Sequence, residues 1–148
     1  MTDSFGDQNM LNFFGLKKKA DKTKILIVDD EPDLVQTLRD RLEMNGYNIV
    51  TAGNGREGLE KVLQEKPNIV LLDVIMPIMD GLEMLEALRK HPESKNVAVI
   101  MLTARSQRQD IVRAKVCGIN DYVVKPFDLT ELIEKIENII EHNKATAK

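Results

Sequence analysis

The chain holds a single cysteine, Cys117, so no internal disulfide can form and a reducing compartment, the cytoplasm, is expected. Its two histidines, His91 and His142, stand far apart in sequence and far from Cys117, which excludes the ligand spacing of a zinc site. Both histidines read as surface residues, and Cys117 as an inert packing residue. Excess positive charge is missing too. The formal net charge is −3 at pH 7, which argues against nucleic acid as the main partner. No apolar run approaches the roughly 20 residues that span a bilayer. Residues 1–9 carry Asp3 and Asp7 but neither Lys nor Arg, so the basic opening of a secretory signal is absent. Internal repeats and low-complexity tracts are also absent. What remains is ordinary for one soluble domain: 148 residues, 43% hydrophobic and 30% charged.

Residues 1–23 differ from the rest, being polar and glycine-bearing. Within them a short apolar patch (Met10, Leu11, Phe13, Phe14, Leu16) runs into Lys17, Lys18 and Lys19. This segment reads as a flexible N-terminal arm. The alternative is a short docking segment that touches a partner or a membrane surface.

From Lys24 a regular alternation begins. Ile25–Val28 is a continuous apolar run suited to a buried strand. Acidic residues and Pro32 then open a helix with Leu34, Leu38 and Leu42 on one stripe, closed by Gly46. Tyr47–Ala52 is a second strand, Asn54-Gly55 a turn, and Leu59, Val62 and Leu63 mark a second helix closed by Pro67. Ile69–Leu72 is a third strand ending on Asp73. Asp80 and Glu83 form a capping box for a third helix with Leu82, Leu85 and Leu88. Val97–Leu102 is a fourth strand ending on Thr103. Ser106 and Gln109 cap a fourth helix (Ile111, Val112, Val116) stopped at Gly118. Tyr122–Val124 is a fifth strand ending on Lys125-Pro126. Asp128 and Glu131 cap a fifth helix with Leu129, Leu132, Ile133, Ile136, Ile139 and Ile140 on one face. Five strands alternating with five helices imply an α/β domain over residues 24–142, with a parallel sheet covered on both sides and right-handed crossovers. Residues 143–148 are a C-terminal tail.

The polar punctuation of this pattern falls at strand ends. Asp29 and Asp30 follow the first strand, Asp73 the third, Thr103 the fourth and Lys125 the fifth. Carboxyl ends of parallel strands share one edge, where open α/β sheets hold their ligands. At about 5 Å and an effective dielectric near 20, each pair of these carboxylates repels by roughly 3 kcal/mol. One lysine cannot neutralise three of them, and a divalent cation can. All-oxygen ligation suits magnesium, which also grips phosphate. Such a site fits phosphoryl transfer, which needs positioning and charge neutralisation. Asp73, ending the central strand, is the candidate nucleophile, to become an acyl phosphate. Lys125 and Thr103 would hold the phosphoryl oxygens. Asp80 reads as an N-cap and no more.

At these residues the chain resembles the receiver domains of bacterial two-component response regulators, the single-domain chemotaxis type included. The matching segments are Ile25-Leu26-Ile27-Val28-Asp29-Asp30-Glu31, Asp73-Val74-Ile75-Met76-Pro77-Ile78-Met79-Asp80-Gly81, Leu102-Thr103-Ala104 and Asp121-Tyr122-Val123-Val124-Lys125-Pro126-Phe127. The resemblance covers about residues 24–141. It implies a flavodoxin-like (βα)5 fold, doubly wound, with sheet order 2-1-3-4-5, for which a chemotaxis receiver is a standard example. It implies Asp73 as phospho-acceptor for a cognate histidine kinase. It implies Mg2+ held by Asp30, Asp73, the backbone carbonyl of Ile75, and Asp29 largely through water. It implies Thr103 and Tyr122 as a switch pair and a cis Lys125-Pro126 bond. Slow loss of the phosphoryl group is implied, not enzymatic turnover. Ile75 and Arg105 occupy positions that flank the path of the hydrolytic water in this family, and an apolar Ile75 cannot orient water.

Output is expected through the face built from the fourth helix, fifth strand and fifth helix. Arg105, Arg108, Arg113 and Lys115 lie on or near one of its helices, and Glu131, Glu134, Glu137 and Glu141 on the other. That face suits docking of a downstream protein or a homodimer on phosphorylation. The same residues equally suit a relay intermediate that passes phosphate to a histidine phosphotransfer protein. A haloacid-type phosphatase would need a second acid where Ile75 stands. A phosphorylation-independent interaction module would not need the complete acidic site. After the fifth helix only Asn143–Lys148 remain, so output is expected through a partner, unless the chain is a fragment of a larger multidomain regulator.

Overall fold

The computed structural model describes residues 23–146. The arm, with its expected flexibility or membrane contact, lies outside them except for Thr23, whose carbonyl accepts the Asn48 N–H at 3.0 Å. Five strands form one parallel sheet in the order β2-β1-β3-β4-β5: β1 Lys24–Val28, β2 Asn48–Ala52, β3 Ile69–Asp73, β4 Ala98–Ala104 and β5 Asp121–Lys125. Five α-helices alternate with them: α1 Pro32–Met44, α2 Gly55–Glu65, α3 Gly81–Lys90, α4 Asp110–Cys117 and α5 Leu129–Thr146. This is the expected flavodoxin-like arrangement.

The core is split by the sheet, as the two-residue period of a strand requires. Ile25, Ile27, Ile69, Leu71, Ile100 and Leu102 face one way, against Leu38 and Leu42 of α1 and Leu132 and Ile136 of α5. Leu26, Val28, Val70, Leu72, Val99 and Met101 face the other way, against α2, α3 and α4. Both faces are covered, so the strands read as continuous apolar runs with no polar alternation. Truncating one of these fully buried leucines to alanine removes roughly 2–5 kcal/mol.

Helix ends follow local chemistry. Pro32 opens α1, where its missing N–H costs nothing. The Asp80 carboxylate accepts the Glu83 N–H and the Glu83 carboxylate accepts the Asp80 N–H, each at 2.9 Å, which is the expected capping box.

Four details depart from the sequence reading. Asn54 is not a turn residue but the N-cap of α2, its side chain accepting the Glu57 N–H at 2.9 Å. Ser106 and Gln109 form no capping box. The chain first tightens into a 3-10 turn over Arg105–Gln107, which encloses Ser106, and Gln107 turns back to accept the Ala104 N–H at 3.2 Å. On α4 the buried residues are Ile111 and Ala114, while Val112 (66% exposed) and Val116 (84%) point to solvent, because one short helix presents only one stripe to the sheet. Finally, α5 continues through Asn143 to Thr146, into the segment read as tail.

Candidate functional site

Strand register gathers the candidates. Asp73 pairs with Leu102, and Ala104 with Lys125, so Thr103 lies on the strand between Asp73 and Lys125, within two residues of both registers. Asp29 follows β1, the other neighbour of β3. Lys125 begins on β5, two strand spacings or about 10 Å from β3. Its long stem crosses β4 and brings Nζ to 3.2 Å from Asp73 Oδ1, 3.0 Å from Asp29 Oδ2 and 2.9 Å from Glu31 Oε1. One ammonium thus serves three carboxylates.

Asp29 is held at both oxygens. Oδ2 takes the lysine, and Oδ1 accepts the Glu31 N–H at 2.9 Å. Its own N–H donates to the Ala52 carbonyl at 3.1 Å, which ties β1 to the end of β2. Asp30 is exposed beside it. Carboxylate oxygens of Asp29, Asp30 and Asp73 all lie within 4.8 Å of one another. A cluster of that size, whose candidate ligand atoms are all carboxylate oxygens, could hold a hard divalent ion and does not suit zinc.

Electrostatics set Asp73 apart. It is 6% exposed, and burial pushes its carboxyl up to about 6, with Asp29 adding to the rise, Lys125 opposing it and Asp30 adding a smaller share. For Lys125 burial pulls downward, but hydrogen bonds to Glu31 and Asp29 and the charges of Asp29 and Asp73 together raise it above its ordinary value. The carboxylate is therefore ionised at neutral pH but less comfortable in that state than a surface aspartate, and a cation relieves it.

Thr103 is fully buried, and its hydroxyl donates to the Ala104 carbonyl at 3.2 Å, not toward Asp73. Tyr122, half-buried on β5 opposite Met101, packs against the second core cluster with Lys115 Nζ 5.5 Å from its ring centroid. Lys125-Pro126 is cis. Ile75 is 58% exposed beside Asp73. Of the expected output face, Arg113 leans toward α3 and pairs with Glu86 at 3.4 Å, a surface contact of little energy.

In the sequence Glu31 stands in the acidic helix start and in the first matching segment, with no role of its own assigned. The structure makes it the third carboxylate on Lys125. Its position directly after Asp29-Asp30 was the signal available. The two close glycine approaches around the site had no such signal. A Cβ at Gly81 would meet the Asp73 carbonyl, and one at Gly55 would stand 2.6 Å from the Met79 carbonyl oxygen.

Residues 25–137 match the model of the response regulator receiver domain. The chain is 37% identical over 124 residues to the alkaline phosphatase synthesis transcriptional regulatory protein PhoP of Bacillus subtilis, covering 84% of this chain and 51% of that one. It is 35% identical over 124 residues to the transcriptional regulatory protein PrrA of Mycobacterium tuberculosis, covering 84% and 52%. The chain spans about half the length of the curated relatives it matches. Among solved structures, a receiver domain from Clostridium thermocellum superposes with a TM-score of 0.78 at 29% identity, covering 84% of this chain and 98% of that one. The chemotaxis response regulator CheY4 of Vibrio cholerae superposes with a TM-score of 0.74 at 31% identity, covering 79% and 98%. Among the described residues no helix is long and apolar enough to cross a membrane.

Proposed function

The chain belongs to the response regulator receiver domain family of two-component systems, and from that premise we propose that it accepts a phosphoryl group on Asp73 from a histidine kinase and signals through protein contacts. The single observation that carries this reading is Lys125 Nζ spanning Asp73 and Asp29 at 3.2 and 3.0 Å, with the third acid of the pocket beside them.

Asp73 Oδ attacks the phosphorus of a phosphohistidine donor. The P–N bond breaks, its electron pair stays on the imidazole nitrogen, and that nitrogen takes up a proton. Lys125 neutralises one phosphoryl oxygen as the product forms. Thr103 donates to another after its hydroxyl leaves the Ala104 carbonyl. Asp29, Asp30, Asp73 and the Ile75 carbonyl would hold Mg2+, which when bound neutralises carboxylate and phosphoryl charge together. Ile75 would border the water path; the side chain of Arg105, expected to flank the same path, lies outside what the structure describes. Movement of Thr103 toward phosphate frees space for Tyr122 to turn inward, which repacks the α4–β5–α5 face for a downstream protein or a second copy. The product is lost by slow hydrolysis, which makes the domain a switch and not a turnover enzyme. The proposed setting is the cytoplasm, where a kinase presents its phosphohistidine.

The test is to add Mg2+ with acetyl phosphate, or with beryllium fluoride as a phosphoryl mimic, and record amide NMR shifts. Shifts centred on Asp73, Thr103 and Tyr122 are expected. Their absence, or an identical response from Asp73→Asn, would overturn the reading.

A further inference from the structure

Ile78 sits in a conformation that its residue type resists. Its φ is 72°, in the left-handed region. The Met79 N–H donates to the Pro77 carbonyl at 2.7 Å, which closes a three-residue turn with Ile78 at the centre. A γ-turn of this hand is rare and strained, and a β-branched residue fits it worst. Glycine or asparagine would take that φ readily. A strained side chain is ordinarily held for its packing, yet Ile78 is 73% exposed. Its neighbours sharpen the contrast. Val74 and Met76 are buried in the core, whereas Ile75 and Pro77 are exposed. The loop therefore turns two apolar side chains inward and sets two isoleucines in solvent.

Both isoleucines lie on the loop that joins Asp73 to α3. The loop leaves from Asp73 and returns to it, since the Gly81 N–H donates to the Val74 carbonyl at 2.7 Å and the Gly81 Cα rests on the Asp73 carbonyl. Ile75 lies two residues from Asp73, within about 8 Å of its Cα, and Ile78 lies three residues from Gly81, within about 11 Å of the glycine that rests on the Asp73 carbonyl. The Asp73 carboxylate itself is buried. A phosphorus atom carried by a folded protein reaches it only when the surface around that phosphorus covers this rim. A small donor enters without touching it.

We propose that Ile78, together with Ile75, is the specificity-determining contact for a protein phosphodonor, whose phosphohistidine is bordered by apolar side chains that seat on the two isoleucines. This rests on the reading of Asp73 as acceptor. In the transfer the P–N bond breaks and the Asp73 O–P bond forms as above. Ile75 and Ile78 touch none of the reacting atoms and act by holding the donor in place. The strain at Ile78 is the local cost of presenting an apolar side chain where glycine would present none.

The test uses the full chain and Ile78→Asn, which accepts the backbone conformation and removes the apolar contact. Two donors with the same P–N bond are compared: phosphoramidate, and the autophosphorylated histidine kinase that labels the unaltered chain fastest in a phosphotransfer profile. The expected result is an unchanged phosphoramidate rate, an unchanged or higher melting temperature, and kinase transfer slowed about tenfold. Ile78→Leu should recover most of the kinase rate. Equal kinase transfer to Ile78→Asn and the unaltered chain would overturn the proposal. So would equal slowing with both donors, which would assign Ile78 to the geometry of Asp73. If phosphoramidate fails to label Asp73 in the unaltered chain, the acceptor reading falls first and this inference with it.

Discussion

Gly81 rests against the backbone of Asp73 so closely that a Cβ on Gly81 would collide with the Asp73 carbonyl oxygen. The Gly81 N–H donates to the Val74 carbonyl, and Asp80 caps α3 at the same point. The first turn of α3 is thereby fastened to the end of the strand that carries the acceptor. Gly81→Ala should cost roughly 1–3 kcal/mol, as overpacking against unyielding backbone does, and should slow labelling of Asp73 by acetyl phosphate. Gly53→Ala is the control, since its Cβ would meet only the Glu57 carboxylate at 3.7 Å. Urea unfolding of both variants separates them. Equal stability would show that the contact relaxes freely.

Asp73 predicts the pH dependence of the metal-free protein. Its carboxyl is raised to about 6 from an ordinary 3.8. The folded state therefore binds more protons than the unfolded state between those values, and stability from this group falls as pH rises through the window. About two pKa units correspond to something on the order of 3 kcal/mol. Asp73→Asn should unfold at higher urea than the unaltered chain at pH 7.5, and the gap should close below about pH 4. A gap that persists unchanged at low pH would assign the effect to packing and not to charge.

Lys125 is the internal counter-ion of three carboxylates. Lys125→Met should cost roughly 3 kcal/mol without metal, because it leaves buried negative charge unpaired. Added Mg2+ should restore much of that loss. Cation at 100 times its Kd stabilises by about 2.7 kcal/mol, and the variant should bind it more tightly than the unaltered chain. Asp30→Asn should weaken the response with little harm to folding, since Asp30 is exposed. Thermal melts with and without Mg2+ decide this, and identical Mg2+ responses in all three proteins would remove the pocket as a cation site.

Ile75 stands exposed two residues from Asp73 and offers no side-chain hydrogen bond to a water. Ile75→Asn should shorten the life of the aspartyl phosphate severalfold, followed by the decay of label after donor removal. A longer life in the variant would contradict the role.

The α/β alternation was legible because buried parallel strands have no choice but continuous apolar runs, and Ile25–Val28 and Ile69–Leu72 are such runs. The placement of Asp29, Asp30, Asp73, Thr103 and Lys125 on one edge followed from their positions at strand ends. Errors fell where local signals compete. Asn54-Gly55 suits a turn as well as an N-cap, and only the Glu57 N–H decides between them. Ser106 and Gln109 have the spacing of a box, but the 3-10 turn enclosed Ser106 first. Val112 and Val116 look like core by composition, yet α4 offers the sheet only the stripe of Ile111 and Ala114.

The order of elements, the two-sided burial of the sheet and the edge on which the acids, hydroxyl and lysine meet were all readable along the chain, because side-chain periodicity and strand ends are local properties. The folded arrangement was needed to see that Lys125 crosses β4 to reach Asp73 and Asp29 while also taking Glu31, that burial raises Asp73, and that a side chain at Gly81 would strike the Asp73 backbone. Lys125 is remote in sequence from the carboxylates it meets, and burial and the return of the loop onto Asp73 depend on how the whole chain packs, which no local periodicity encodes.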